Sequence, residues 1–384
     1  MSRFTALLFT VLLALLGACG GGMGDETDPT PPSPTPPINL PLENQEADTW
    51  QNYAGAQDTV CASGAPYSHY AYKGSVNKLV IDFQGGGACW DAETCRQSSS
   101  NVGSNFTYLD TVNFYDVDGE LPGIYDHARE DNPVQDWYHV YIPYCTGDIH
   151  IGNNTQTYTD DEGSFEIQHN GAVNAQSVLD WTFTNFEAPE QIFVTGCSAG
   201  GYGAAYWTQT IAEQYPNADI KQLGDCAAGV SDEAFASELA TNWDTAATFP
   251  ELTFDADVVD EAYTQALAAY PELEMAQYHS ILDGVQIGFY ARGTGQALSP
   301  EIGLEWSNIM RNSLNEIDAT ALNRFAYYIS NLDENEDSSD GTDHCVIEKD
   351  DFYTLETNGV TFVDWLSDYL AGDEVENVST TLTP

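Results

Sequence analysis

Short apolar and β-branched runs alternate along this chain with longer stretches in which apolar residues recur every three to four positions. That is the pattern of strands alternating with helices. Lys78-Leu79-Val80-Ile81-Asp82-Phe83, Trp137 to Ile142, Gln191 to Thr195, Ile220 to Leu223, Met275 to Leu282 and Phe325 to Ile329 read as strands. Gly171 to Phe186 and Ala199 to Gln214 read as helices, followed by acidic, aromatic-bearing helices between Ser231 and Tyr270. Ser299-Pro300 opens another, with serine as cap and proline in the first turn, and its apolar face carries Ile302, Trp306, Ile309, Met310 and Ile317. Phe362 to Leu370 closes the series, and a long polar and aromatic insert separates Phe83 from Trp137. The alternation predicts an α/β fold, a mainly parallel sheet with helices on both faces.

One junction in this series carries chemistry. Gly196-Cys197-Ser198-Ala199-Gly200, followed by Gly201 and Gly203, fits the G-x-S-x-G nucleophile elbow between a strand and a helix. A serine on so sharp a turn has a strained backbone, and side chains two positions either side would collide with it. A serine hydroxyl is a poor nucleophile at neutral pH, so Ser198 needs an imidazole to take its proton and a carboxylate to orient that imidazole. In the α/β-hydrolase order both follow the serine, each at the end of a later strand. Only His279 and His344 follow Ser198. His279 lies inside a strand, where a packed or half-exposed imidazole fits, and His344 lies in the loop after the last strand, where the base belongs; a surface histidine in an acidic loop is the alternative. Asp283, at the end of the Met275 to Leu282 run, is the acid by position; Asp225, one strand earlier, and Asp255 or Asp257 in the helical insert are its rivals. For the oxyanion, the N–H of Ala199 is one donor. Gly86 and Gly87 of Gln84-Gly85-Gly86-Gly87-Ala88-Cys89-Trp90 are the others, from a glycine loop after an early strand.

Composition adds a location. Arg3 followed by an apolar run from Phe4 to Leu16 forms a secretory signal too short to span a membrane. Leu16-Gly17-Ala18-Cys19 has the form of a bacterial lipobox, in which Cys19 receives lipid, and an ordinary cleaved signal is the alternative. Residues 20 to 37, with six prolines, suit a tether. The expected division is a signal over 1–18, anchor and tether over 19–41, and one catalytic domain over 42–384. No Asp follows Cys19 directly, which points to the outer membrane, on its periplasmic or surface side. With 10 basic and 60 acidic residues the net charge is -50, which excludes general nucleic-acid binding because that rests on Lys and Arg. Such self-repulsion is relieved by salt, so a marine or salt-tolerant source is expected, with general solubility the alternative. Seven cysteines fall in the domain, so at least one thiol is unpaired unless chains link. Zinc is disfavoured by the absence of C-x-x-C and of a helical His pair.

The motifs also occur together. Phe83-Gln84-Gly85-Gly86-Gly87-Ala88-Cys89-Trp90, Tyr144-Cys145-Thr146-Gly147-Asp148-Ile149-His150-Ile151-Gly152, the elbow, and Asp343-His344-Cys345 stand in the same order as in the pectinacetylesterase family, which this chain resembles from about Cys61 to Leu370. The resemblance implies an α/β-hydrolase fold, carboxylic ester hydrolysis, no metal or cofactor, and a triad of Ser198, Asp283 and His344, with Asp283 matched within Ile281-Leu282-Asp283-Gly284-Val285-Gln286. It also implies the pairings Cys89 with Cys95 and Cys61 with Cys145. The bacterial lipoprotein branch is the nearer likeness: where the animal branch carries tryptophan in the glycine loop this chain has Gly87, so that branch's long-acyl pocket does not carry over.

The expected function is a lipid-anchored serine carboxylesterase acting on acetylated polysaccharide or a small ester. A longer-acyl esterase and a silent surface lipoprotein that uses the cleft for binding are the alternatives. Like charge would slow encounter with a polyanionic polymer unless salt or calcium intervenes. Trp90, Tyr70, Tyr72 and Tyr144 are candidates for a sugar-stacking platform. The acidic run from Asp333 to Asp340 has alternating calcium-type ligands, but lacks the glycine and final Glu of an EF-hand loop.

Overall fold

The apolar runs assemble side by side: among the described residues a nine-stranded sheet forms in the order β1-β2-β4-β3-β7-β8-β9-β10-β13. The structure is a computed structural model that describes residues 42–381 except 48, 104–105, 115–121, 255–256 and 332–342. The leader with Cys19, the Pro-rich tether, Asp255 and the acidic run from Asp333 to Asp340 lie outside the described residues. Along the chain come β1 (Trp50–Ala54), β2 (Ser68–Tyr72), β3 (Lys78–Phe83), the short helices α1 (Ala92–Arg96) and α2 (Ser99–Val102), then β4 (Tyr138–Ile142). A separate hairpin of β5 (Asn154–Asp160) and β6 (Gly163–His169) precedes α3 (Gly171–Asn185), β7 (Gln191–Cys197), α4 (Ala199–Gln214) and β8 (Asp219–Asp225). The second half holds α5 (Glu233–Trp243), α6 (Asp260–Ala269), β9 (Glu274–Ser280), α7 (Gly284–Gly293), α8 (Pro300–Ala321) and β10 (Phe325–Ser330). A ribbon of β11 (Glu356–Thr357) and β12 (Val360–Thr361), α9 (Phe362–Ala371) and β13 (Val378–Ser379) complete it.

β4, β3, β7, β8, β9, β10 and β13 are parallel to one another, and β2 and β1 extend that sheet antiparallel. Every residue of β4 and β7 is buried, as expected of central parallel strands covered on both faces. Alternation along the strands divides the core in two. Leu79, Ile81, Ile192 and Val194 pack with α3, α4, α6 and α8 on one face; Val80, Phe193, Leu223 and Tyr278 pack with α9 on the other.

The helix opened by Ser299 forms as its sequence implies: the Ser299 hydroxyl accepts from the Ile302 N–H, and Ile302, Trp306, Met310, Leu314 and Ile317 are buried along one stripe. Ile309 sits at the stripe's edge, partly buried. The strand expected to reach Leu282 ends at Ser280 instead, because the Asp283 carboxylate accepts the Gln286 N–H and starts α7. Three of the four aromatics proposed as a sugar platform are packed elsewhere. Tyr70 stacks on Phe114 at 4.4 Å, Tyr72 stacks on His127 at 4.0 Å, and the buried Tyr144 accepts the Ile149 N–H at its hydroxyl. Burial of their apolar rings in the core outweighs any role at the surface, and only Trp90 reaches the cleft.

Met310 is fully buried on the α8 stripe. Met310→Ala is expected to lower unfolding free energy by about 2–5 kcal/mol, measured by urea denaturation.

Candidate active site

Residues that follow β3, β7, β8 and β9 line one cavity, at the strand ends where open α/β folds bind ligands. Ser198 stands between β7 and α4 with φ of 56°, a left-handed conformation that costs a non-glycine residue energy. The turn survives because its neighbours have no side chain. A Cβ on Gly200 would lie 1.7 Å from the Phe83 carbonyl oxygen, and one on Gly196 would lie 2.4 Å from it. The Ser198 N–H donates to the Asp225 carbonyl at 2.7 Å, which ties the turn to the end of β8.

His344 arrives on the segment after β10 and is held from several sides. Its Nδ1 lies 2.7 Å from Asp283 Oδ2. The neighbouring Cys345 forms a disulfide with Cys197, so a covalent link joins the residue before Ser198 to the residue after His344. Asp225, one rival for the acid, has a different role: its Oδ2 accepts the N–H groups of Val346 and Ile347, both at 2.8 Å, and so anchors the same segment. Asp257, another rival, caps the turn before α6 by accepting the Val259 and Asp260 N–H groups. His279 is fully buried with Nε2 2.7 Å from Gln277 Oε1, and burial pushes its pKa down to about 3. It is the packed histidine that its strand position implies.

The electrostatics follow from burial and pairing. For His344, burial alone would lower the pKa, but the Asp283 charge and hydrogen bond, with help from Asp225 and Glu348, raise it above the ordinary imidazole value. For Asp283, burial alone would raise the pKa, but the His344 charge and hydrogen bond and two donors from Gln286 bring it below the usual carboxylate range. Burial pushes Asp225 up to about 6, against the two N–H donors it serves. Among the described residues His344 Nε2, a buried atom, has no hydrogen-bond partner, and His344 and Ser198 both line one cavity.

That cavity is about 80 Å³, with Trp90, Phe235, Phe289 and Trp306 among its walls and Gly87 and Ala199 beside the serine. Gly85 passes so close that a Cβ would meet the Cys197 carbonyl at 2.7 Å and Ser198 Cβ at 3.3 Å. Gly87, at φ of 75°, leaves no room for a side chain against the Thr107 carbonyl, 1.9 Å from a would-be Cβ. Among the described residues the Gly86 and Gly87 N–H groups take no backbone acceptor, and Ala199, first in its helix, has no intrahelical one. Gly86 does not line the cavity, and its carbonyl accepts the Leu109 N–H.

The cysteines resolve into three bridges, Cys61–Cys145, Cys89–Cys95 and Cys197–Cys345, with Cys226 a free, buried thiol. Cys226, Asp283 and His344 bring one ligand atom each within 4.8 Å of one another. That set would suit a soft divalent cation only if the Asp283–His344 bond opened. Sequence reasoning did not assign the Cys197–Cys345 bridge, the anchoring by Asp225, or the contribution of Gln286. The one available signal was that two cysteines directly adjoin Ser198 and His344.

A family model described as Pectinacetylesterase matches residues 46–244, just over half of the chain, ending before Asp283 and His344. Pectin acetylesterase 7 and pectin acetylesterase 11 of Arabidopsis thaliana are 25% and 24% identical over 183 residues, 46% of this chain and 44% of each relative. Palmitoleoyl-protein carboxylesterase NOTUM of Drosophila melanogaster is 27% identical over 183 residues, 26% of that relative. The matches therefore span less than half the length of these relatives. The solved structure of the Wnt deacylase Notum from Drosophila superposes with a TM-score of 0.61 at 18% identity, covering 86% of this chain and 96% of that one. The fold is thus α/β-hydrolase-like.

Cys345→Ser removes the link between the two segments and leaves a thiol at Cys197. It is expected to cost about 2–5 kcal/mol of stability, read by thermal unfolding with and without reductant. In reductant, which opens the other two bridges in both proteins as well, the gap in melting temperature between wild type and Cys345→Ser should shrink.

Proposed function

We propose, for a chain that belongs to the pectinacetylesterase family, a serine carboxylesterase acting on acylated carbohydrate or a small ester through Ser198, His344 and Asp283. The observation that carries this reading is the 2.7 Å bond from His344 Nδ1 to Asp283, with Nε2 unpartnered among the described residues and His344 lining the same cavity as Ser198. Asp283 holds the imidazole with its proton on Nδ1, which leaves Nε2 as the base. Nε2 takes the hydroxyl proton as Ser198 attacks the ester carbonyl. The N–H groups of Gly86, Gly87 and Ala199 receive the oxyanion, and Gly87 and Ala199 are the two of these residues that line the cavity. His344 then protonates the departing alcohol, and water, activated in the same way, releases the acid from Ser198.

The cavity bears on the acyl group. Its walls, where aliphatic Val230, Leu239 and Val258 stand with the aromatic rings and few polar groups, favour an apolar acyl chain, which supports the second reading, an acyl group longer than acetyl. The volume of about 80 Å³ sets the limit. A water-sized group needs about 10–15 Å³ by the same measure, so only a short chain fits without movement of the walls.

The leader and Cys19 support a lipid-anchored, extracytoplasmic enzyme of the bacterial lipoprotein branch, held at the outer membrane by its tether. Three disulfides suit an oxidising compartment. Among the described residues no helix is long and apolar enough to cross a membrane.

Ser198→Ala is expected to lower kcat on p-nitrophenyl acetate by about 10,000-fold or more while leaving thermal unfolding near wild type; near-normal turnover would refute the assignment. Because the base must be unprotonated and its pKa is raised, kcat/KM of wild type should fall on the acid side with a midpoint above the ordinary imidazole value of about 6.5. A midpoint below that value would contradict the charge environment described for His344.

A further inference from the structure

We infer that Gln286 is a positioning residue of this site, a side-chain amide that fixes the oxygen of Asp283 on which His344 rests. The inference builds on the triad proposed above. Gln286 Nε2 donates to Asp283 Oδ2 at 2.9 Å, and that oxygen is the one 2.7 Å from His344 Nδ1. At its other end Gln286 Oε1 accepts the Ala228 N–H at 2.8 Å, from the segment that follows β8. The backbone N–H of Gln286 donates to the second oxygen, Asp283 Oδ1, at 2.9 Å. One residue therefore serves both carboxylate oxygens and ties the start of α7 to the neighbouring strand end.

Chemistry fixes the orientation of this amide. A carboxylate only accepts and a backbone N–H only donates, so Nε2 must face Asp283 and Oε1 must face Ala228; the flipped amide would oppose like groups at both ends. Gln286 is 8% exposed, so water does not readily substitute for either bond. The amide takes up part of the charge on Oδ2 that would otherwise fall on the imidazole alone. It thereby limits how firmly His344 keeps its proton, and it keeps the carboxylate plane aligned with Nδ1.

Other charged or titratable groups face this pair. Asp225 and Cys226 come from the end of β8, His279 from β9, Tyr202 from α4, and Asp343 and Glu348 from the segment of His344 itself. None of them changes when Gln286 is replaced, so a shift between wild type and variant reports the amide.

The test is the pH dependence of p-nitrophenyl acetate hydrolysis in Gln286→Met and Gln286→Glu. Methionine keeps the length and loses both bonds. The acid limb of kcat/KM should move up by about 0.5–1 pH unit, and kcat should fall about tenfold, with KM within about twofold of wild type. Glutamate has the wild-type shape and, while neutral, can keep both bonds, so it serves if the methionine variant does not fold. Once ionised it adds a negative charge beside Asp283 and should displace the limb in the same direction. A folded methionine variant with the wild-type limb and kcat would overturn the inference, as would a glutamate variant that ionises, seen as a new step in its profile, without moving the limb. Ser198→Ala, run alongside, separates the two levels. Activity surviving in Ser198→Ala sinks the triad itself; a dead Ser198→Ala with an unmoved limb in the Gln286 variants sinks only the role of Gln286.

Discussion

The hydrogen bond between Asp283 and His344 joins two segments 61 residues apart in sequence, and much of the fold's second half is arranged around it. Neither partner holds its place alone. Asp283 is fixed because its carboxylate starts α7, a cap contact that also stops β9 two residues short of where the apolar run ends. His344 is fixed because the residues after it are tied down three ways: Cys345 to Cys197 by a disulfide, and Val346 and Ile347 to the Asp225 carboxylate by hydrogen bonds. Buried charges at that depth persist only when each is paired, and here the imidazole supplies what the carboxylate needs.

The elbow is subject to a steric constraint of another kind. Its left-handed serine is sustained by glycines at 196 and 200, whose missing side chains let the Phe83 carbonyl approach, and by the N–H bond from Ser198 to the end of β8. Strand β3 thus does double duty: it packs beside β7 in the sheet and then sends Gly85 against the serine. The same loop continues through the Cys89–Cys95 ring, where Trp243 donates to the Cys89 carbonyl and Asn242 to that of Trp90. In this way α5 braces the wall of the cavity.

Central strands and their following helices were legible in the sequence because burial on both faces makes their apolar runs nearly unbroken; β7 and α4 are the clearest case. The edge elements were not. β1 half-buries only Trp50 and Tyr53 and exposes Gln51, Asn52 and Ala54, and β5 with β6 is a half-exposed hairpin of threonine, glutamine and glutamate with little apolar signal. α7 was hidden for the opposite reason, since its start depends on a side-chain cap at Asp283 and not on periodicity. At the site, Ser198, Asp283 and His344 could be picked by type and order. The roles of Asp225, Gln286 and the Cys197–Cys345 bridge depend on which strand ends lie side by side, and no pattern of spacing in one sequence reveals that.

The central claim is that Ser198 is made nucleophilic by His344. Labelling with a fluorophosphonate, followed by mass spectrometry of the digested protein, tests it most directly. One adduct on the peptide bearing Ser198 in wild type, lost in His344→Ala, is the expected result. An unlabelled wild type, or a Ser198 adduct that forms as fast without the imidazole, would contradict it.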